Sequence, residues 1–248
     1  MPDAEITGTS RVTCRLRLLA FVLLFIVPIG CLTIWPSLDL VVSGLFYRTG
    51  QGFFLADQPP LVALHLIAAK GSWALGILLA LAAAYTAITR KNLFNISAKN
   101  WLFLLLALLI GPALIANVGL KDHWGRARPR EIVAFGGTAN FSPALFPQNT
   151  SRKNGSFVSG DAAFGFYLPS FAYVVPVSAG RKKIRRFFWI SIACALLFSL
   201  ARLMMGAHFL SDILCAGILM LTVSAALHAT MFGRQTTFSF WKDQFSSH

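Results

Sequence analysis

Apolar residues run along this chain in long stretches, and the polar residues are gathered between them. Six stretches, at 18–35, 73–88, 101–120, 162–177, 187–203 and 209–232, hold few charges. About 20 helical residues cross the hydrocarbon core of a bilayer, so each stretch predicts a membrane-spanning helix. The second is short and is expected to extend back through 61–69, with an interruption at Lys70-Gly71-Ser72. Trp35, Trp73, Trp101 and Trp189 fall near the predicted span ends, where amphipathic rings favour the interface.

The basic residues orient these spans. Thirteen of the 22 lysines and arginines fall on the side of the N-terminus: Arg11, Arg15, Arg17, Arg90, Lys91, Lys99, Arg181, Lys182, Lys183, Arg185, Arg186, Arg234 and Lys242. Apart from five residues assigned below to a site or its rim, the other side keeps only Arg48, Lys70, Arg152 and Lys153. This bias predicts cytoplasmic termini, including a tail at 1–17, and outer-face loops at 36–60 and 121–161. The first loop mixes apolar and turn residues, as a segment lying on the membrane surface would. The second is irregular and about forty residues long, a length that usually marks function in a compact chain.

Composition agrees with a single all-α polytopic domain over 1–248. The 248 residues are 56% apolar and 12% charged, with a mean hydropathy of +0.66. A net charge of +13 invites a nucleic-acid partner, but the basic residues sit in short groups between apolar runs. That leaves no soluble basic domain to form a groove, so no nucleic acid is expected. Cys14, Cys31, Cys194 and Cys215 lie in or beside apolar runs without metal-ligand spacing and read as small buried residues. The first apolar run lacks a small-x-small cleavage site before Trp35 and is expected to be a retained span.

Ionisable residues collect at three span ends that the topology turns to one side. Lys121 through Arg128 and Pro129 leaves the third span; Ser156 through Ser159, Gly160 and Asp161 enters the fourth; Arg202 through His208 to Asp212 joins the fifth to the sixth. Singly, each has an ordinary explanation. Lys121, Arg126, Arg128 and Arg130 would snorkel, and Ser159, Asp161 and Asp212 would cap helices. Gathered on one face, such residues are expensive unless they serve a site. Phosphate is the guest they suit. Lys121, Arg128 and Arg202 supply charge and donors, while Ser159 and Gly160 open a helix whose first N–H groups favour an anion. His208 and Asp212, four apart, would share a helical face, with the carboxylate holding one ring nitrogen and the other nitrogen facing phosphorus. His65, His228 and His248 have no such company in sequence, and no part in the site is expected of them.

Lys121-x6-Arg128-Pro129, then Ser159-Gly160, then Arg202-x5-His208-x3-Asp212 resembles the three-part signature of the type 2 phosphatidic acid phosphatase (PAP2) superfamily, which includes vanadium haloperoxidases. Within it, GPALIANVGLKDHWGRARP, SFVSGDAAFGF and GAHFLSD look like the bacterial lipid A 4′-phosphatase branch, in a likeness that runs from Trp35 onward. The resemblance implies a PAP2/haloperoxidase-like helical bundle with its site at the outer membrane surface and neither metal nor other cofactor. Lys121, Arg128, Arg202 and the backbone at Ser159 and Gly160 would bind phosphate, His208 would attack phosphorus, and Asp212 would orient it. The chain departs from the signature twice. Asp161 stands where the superfamily usually has a histidine acting as general acid, and Ala201 stands where a serine usually precedes the arginine. Asp161 is then either the acid or a partner that positions Arg128. The surrounding cations favour positioning, and His123 or water would substitute as acid. Arg126 is a further candidate for the phosphate.

The expected activity is hydrolysis of a lipid phosphomonoester at the periplasmic face of a bacterial inner membrane, with the 4′-phosphate of lipid A as the substrate the resemblance favours. Alternatives are lipid A 1-phosphatase, phosphatidylglycerophosphate or undecaprenyl pyrophosphate phosphatase, and a lipid phosphotransferase. A carrier that only binds would place ionisable residues near span centres, and the centres here are apolar.

Overall fold

A computed structural model describes residues 19, 23–24, 26–148, 153–175 and 179–245. Within these, four helices are long and apolar enough to cross a membrane: Pro59–Thr89 (α3), Ala98–Lys121, Arg181–Met204 (α6) and Leu210–Phe232 (α7). The N-terminal side contributes α1 (Ile26–Ile34) and α2 (Ser37–Gly44), bent 104° from each other, and counts at most as a fifth crossing. Of the expected first span, residues 18, 20–22 and 25 lie outside the described residues, as does the tail at 1–17.

Helix α3 starts at Pro59-Pro60, where the missing N–H groups would have had no intrahelical partner. Its 31 residues reach about 46 Å at 1.5 Å per residue, against about 30 Å for the hydrocarbon core. The helix therefore projects beyond the core. The interruption expected at Lys70-Gly71-Ser72 does not occur. In lipid a broken backbone would leave polar groups without partners, so the helix continues, and Ser72 Oγ donates to the Ala69 carbonyl at 2.8 Å.

The next span begins as α4 (Ala98–Leu108), capped by Ser97, whose hydroxyl accepts from Asn100 N at 3.4 Å. From Leu109 to Lys121 it is wound as a π-helix around Pro112. Proline has no N–H for the ordinary ladder, and Asn117 Nδ2 donates to the Pro112 carbonyl at 2.8 Å. Lys121 is the last residue of this wide turn.

The stretch expected as the fourth span is built differently. It is α5 (Gly160–Tyr167) followed by a 3-10 turn, Leu168–Tyr173, with Pro169 at its start. Ala162, Ala163, Phe164, Gly165, Phe166 and Tyr167 are all buried, so the apolar run faces protein rather than lipid. Its end at 176–177 lies outside the described residues. Small residues allow close helix approach here. A Cβ on Gly165 would lie 2.7 Å from Ala195 Cα of α6, and one on Gly111 would lie 3.0 Å from Met220 Sδ of α7.

A final helix, α8 (Arg234–Phe245), was not signalled by hydropathy. It packs on the bundle through Phe240, which contacts Tyr173 at 4.0 Å and Phe188 at 6.1 Å between ring centroids. At the other end, the segment 36–60 is no mere surface strap. Asp39 and Ser43 of α2 are buried, and a hairpin of β1 (Tyr47–Arg48) and β2 (Gly52–Phe53) lays Phe53 against Gly206 and Phe135.

Gly165→Ala should separate α5 from α6, because its methyl meets backbone that cannot swing aside. Overpacking of this kind costs about 1–3 kcal/mol. Thermal unfolding in detergent should show a lowered midpoint, and an unchanged midpoint would contradict the packing described.

Candidate active site

Three segments meet at one end of the bundle and are stitched together by backbone. Gly155 N donates to the Lys121 carbonyl and Ser156 N to the Arg126 carbonyl, both at 2.8 Å. Gly155 is required here, since a Cβ would sit 3.0 Å from the Arg126 oxygen. Trp124 stacks on Phe157 at 4.6 Å and donates from Nε1 to the Ala144 carbonyl at 2.7 Å. After α6 the chain turns at Gly206 (φ +61), and Arg130 N donates to the Gly206 carbonyl at 3.1 Å. This turn delivers His208.

His208 is buried, and its Nδ1 lies 2.7 Å from the Ser156 carbonyl. A carbonyl only accepts, so Nδ1 carries the proton and Nε2 is the bare nitrogen. The carboxylate expected on the ring is elsewhere. Asp212 Oδ2 is 3.9 Å from Nδ1, beyond hydrogen-bond reach, and accepts instead from Ser156 Oγ at 2.5 Å and from Phe209 N at 2.8 Å. The reason is that His208 precedes α7 rather than lying within it, so the two residues do not share a helical face. Asp212 reaches the imidazole through Ser156. Burial, with the charges of Lys121, Arg128 and Arg202 added to it, holds the His208 pKa well below the ordinary histidine range.

Arg126 was a candidate for the phosphate, and the structure gives its donors to protein. Nη2 donates to Asp39 Oδ2 at 2.8 Å; Nη1 donates to Asp212 Oδ1 at 2.5 Å and to Ser211 Oγ at 2.8 Å; Nε donates to the Ser142 carbonyl at 2.9 Å. The Phe209 ring lies 4.3 Å from the guanidinium carbon. Asp39 also accepts from Ser211 N at 3.0 Å and from Ser211 Oγ. Burial by itself disfavours the charge on Arg126, but Asp212 and Asp39 outweigh it and raise its pKa above the ordinary arginine range.

The other three cations are differently placed. Lys121, Arg128 and Arg202 are close enough to repel one another, and all three act on His208. Lys121 Nζ has no hydrogen-bond partner among the described residues, and the buried Nε of Arg202 has none in hydrogen-bond geometry. Arg128 uses Nη2 on the Asn154 carbonyl and Oδ1, both at 3.1 Å. Ser159 caps α5, its Oγ accepting from Ala162 N at 3.4 Å. A Cβ on Gly160 would lie 3.0 Å from Asn117 Oδ1 and 3.4 Å from Lys121 Nζ, so glycine leaves the lysine access to the helix start. Like charges crowded out of water with donors unspent make a cradle for an anion.

Asp161 meets residues other than those expected. Its Oδ2 accepts from His65 Nδ1 at 2.7 Å and lies 3.4 Å from Arg202 Nε, whereas Arg128 is felt only as a more distant charge. His65, given no part by sequence, thus adjoins the site. His123 is exposed, and its Nδ1 donates to the carbonyls of Val118 and Gly119 at 2.9 and 3.1 Å, turned back on its own helix. Asp39, Ser156, Asn117 and His65 were missed. For Ser156 alone a signal existed, its place inside the second motif. Among the described residues no group of three or more His, Cys, Asp or Glu could hold a metal ion.

The PAP2 superfamily profile matches residues 100–236 of this chain. A lipid A 4′-phosphatase of Francisella tularensis subsp. novicida is 31% identical over 204 residues, covering 82% of this chain and 90% of that protein. Lipid A 4′-phosphatases of Rhizobium leguminosarum and Rhizobium etli are each 41% identical, over 52% of this chain and 53% and 49% of their own lengths. No solved structure matches. The chain belongs to the PAP2 superfamily. It is a multi-pass membrane phosphatase that hydrolyses phosphomonoesters.

Asp39→Ala should leave Arg126 with one carboxylate and strip Ser211 of its acceptor. Breaking a buried ion pair from one side costs about 3–5 kcal/mol. Unfolding of the purified variant should start well below wild type, and Asp39→Asn should recover only part of the loss. A wild-type midpoint for Asp39→Ala would remove this network from the account.

Proposed function

We propose that the chain removes the 4′-phosphate of lipid A at the periplasmic face of a bacterial inner membrane, with both termini cytoplasmic, through a phosphohistidine at His208. The observation that carries the reading is the bare Nε2 of a buried His208 among the charges of Lys121, Arg128 and Arg202, with the buried Arg202 Nε left without a hydrogen bond among the described residues. The substrate is inferred from the named activity of the relatives, 31% and 41% identical.

Lys121, Arg128 and Arg202 hold the phosphoryl oxygens, and the first N–H groups of α5 at Gly160 add donors along the helix dipole. Nε2 attacks phosphorus in line with the departing sugar oxygen, and water then hydrolyses the phosphohistidine. The Ser156 carbonyl keeps Nδ1 protonated, so the ring needs no tautomer change before attack. Asp212 holds the Ser156 hydroxyl and so fixes the loop that presents this carbonyl. Charge on the transferring group is offset by side chains alone.

His208→Ala should abolish turnover and trapping of a phosphoenzyme while the protein still inserts and purifies; activity above a few per cent of wild type would end the assignment. In ¹⁵N-histidine NMR, the resonance absent from His208→Ala should keep Nδ1 protonated and Nε2 bare as pH falls through about 6.5, the ordinary midpoint. The sign follows from the lowered pKa, which makes protonation of Nε2 wait for stronger acid. Mass spectrometry of lipid A from cells with and without the protein tests the substrate, and an unchanged 4′-phosphate would refute it.

Exhaustive chelation should leave the rate near normal, because the three cations perform the neutralisation that a metal would. Loss of activity restored by one particular metal would contradict this.

A further inference from the structure

We propose that His65 delivers the proton to the departing sugar oxygen, with Asp161 as the carboxylate that orients it. The proposal rests on the reading of His208 as nucleophile. His65 lies in the second turn of α3 and Asp161 in the first turn of α5, 96 positions apart, yet Nδ1 and Oδ2 are 2.7 Å from each other. An imidazole in the second turn of a 31-residue helix whose one charged residue is Lys70 is a costly choice for packing alone. The same carboxylate oxygen is 3.4 Å from Arg202 Nε, and Asp161 follows Gly160, the residue that faces Lys121. His65 is therefore one side chain removed from the phosphate cradle.

The two imidazoles of the site have opposite surroundings. His208 is buried among cations, and among the described residues no carboxylate lies within hydrogen-bond reach of its ring. His65 is partly open, with 35% of its side chain exposed, and has a carboxylate as its partner. With Nδ1 bound to Asp161, Nε2 is the ring nitrogen free to exchange a proton, and it has no hydrogen-bond partner among the described residues. An imidazole can take and give a proton at one ring nitrogen while the other stays hydrogen-bonded to a carboxylate. Paired with His65, Asp161 has the defined task of holding Nδ1.

The chemistry balances without a further reactant. The His208 Nε2 lone pair forms the N–P bond as the P–O bond to the sugar breaks. The electron pair of that bond goes to the sugar oxygen, which takes the Nε2 proton of the His65 imidazolium and leaves as an alcohol. His65 remains as the neutral Nδ1–H form, still bonded to Asp161. Water then adds to phosphorus, its proton passes to His65 Nε2, the N–P bond breaks, and phosphate leaves with His208 restored.

The test is His65→Gln in the full-length protein, since glutamine can still donate to Asp161 but carries no transferable proton. With lipid A, phosphoenzyme formation should slow about 10²–10⁴-fold while KM stays within a few-fold. With 4-nitrophenyl phosphate, whose leaving group needs no proton, the burst of nitrophenolate should stay near wild type while steady turnover remains slow. Adding Asp161→Asn to His65→Gln should cost far less than Asp161→Asn costs alone. Equal losses in the burst on both substrates, or a fully active His65→Gln, would overturn the proposal. His65→Asn provides a second variant if glutamine impairs folding, with binding of inorganic phosphate as the control for an intact cradle. Wild-type inactivity on lipid A with activity on another alkyl phosphate lipid would overturn the substrate reading instead, and the leaving-group comparison would then be read on that lipid.

Discussion

The buried guanidinium of Arg126 is the interaction on which the site end of this protein depends. It has no contact with water, and every contact it makes ties a different part of the chain: Asp39 from α2, Ser142 from the long outer loop, Ser211 and Asp212 from the start of α7. Taking one cation and two carboxylates out of water costs several kcal/mol for each ion, and only complete pairing and hydrogen bonding offset it. A shift of any one segment would strand a charge. The two outer loops and α7 therefore have one mutual arrangement, and the Asp212–Ser156–His208 series inherits its geometry from it.

Against that background, the spread of donors separates scaffold from site. Arg126 and Arg128 are two positions apart and chemically alike, yet one has its donors paired with protein while the other lines the cradle. Lys121 and Arg202 are left with donors unspent. A protein that satisfies one buried cation completely and leaves its neighbours open is built to receive negative charge there. Nothing in residue type distinguishes these arginines; the direction of the chain after the π-helical end at Lys121 does.

This is also where legibility in the sequence stops. The four long helices were readable, because length and unbroken apolarity are what a bilayer demands of a lone helix. The form of the stretch from 162 to 173, a short α-helix and then a 3-10 turn, was not, since an apolar run buried in protein and one bathed in lipid have the same composition. At Lys70-Gly71-Ser72 the glycine is a poor helix former in water and the serine a middling one, but lipid penalises an open backbone more strongly. The meeting of Lys121, Arg128 and Arg202 around His208 was legible through local spacing and the family signature. Asp39 and His65 were not, because their partners lie 87, 172 and 96 positions away and no local pattern announces such pairs. Asp212 was legible as important and misread in its contact, because its spacing to His208 suggests a helix that begins only at Leu210.

That misreading changes the chemistry expected of the site. A carboxylate directly on Nδ1 would neutralise the ring as it gains positive charge on attack. Here a neutral carbonyl holds Nδ1, and the charge of Asp212 is shared with Arg126. The imidazole consequently gains little electrostatic help as a phosphohistidine forms, and three nearby cations oppose its positive charge. In the proposed mechanism, what offsets this is the phosphoryl group itself, whose negative oxygens would stand between ring and cations in bound substrate and intermediate alike. The proposed attack by His208 would thus be coupled to occupancy of the cradle. Without phosphate the ring is held neutral by its surroundings; with phosphate bound, the same cations are screened from it, and Nε2 faces the one atom it is placed to attack.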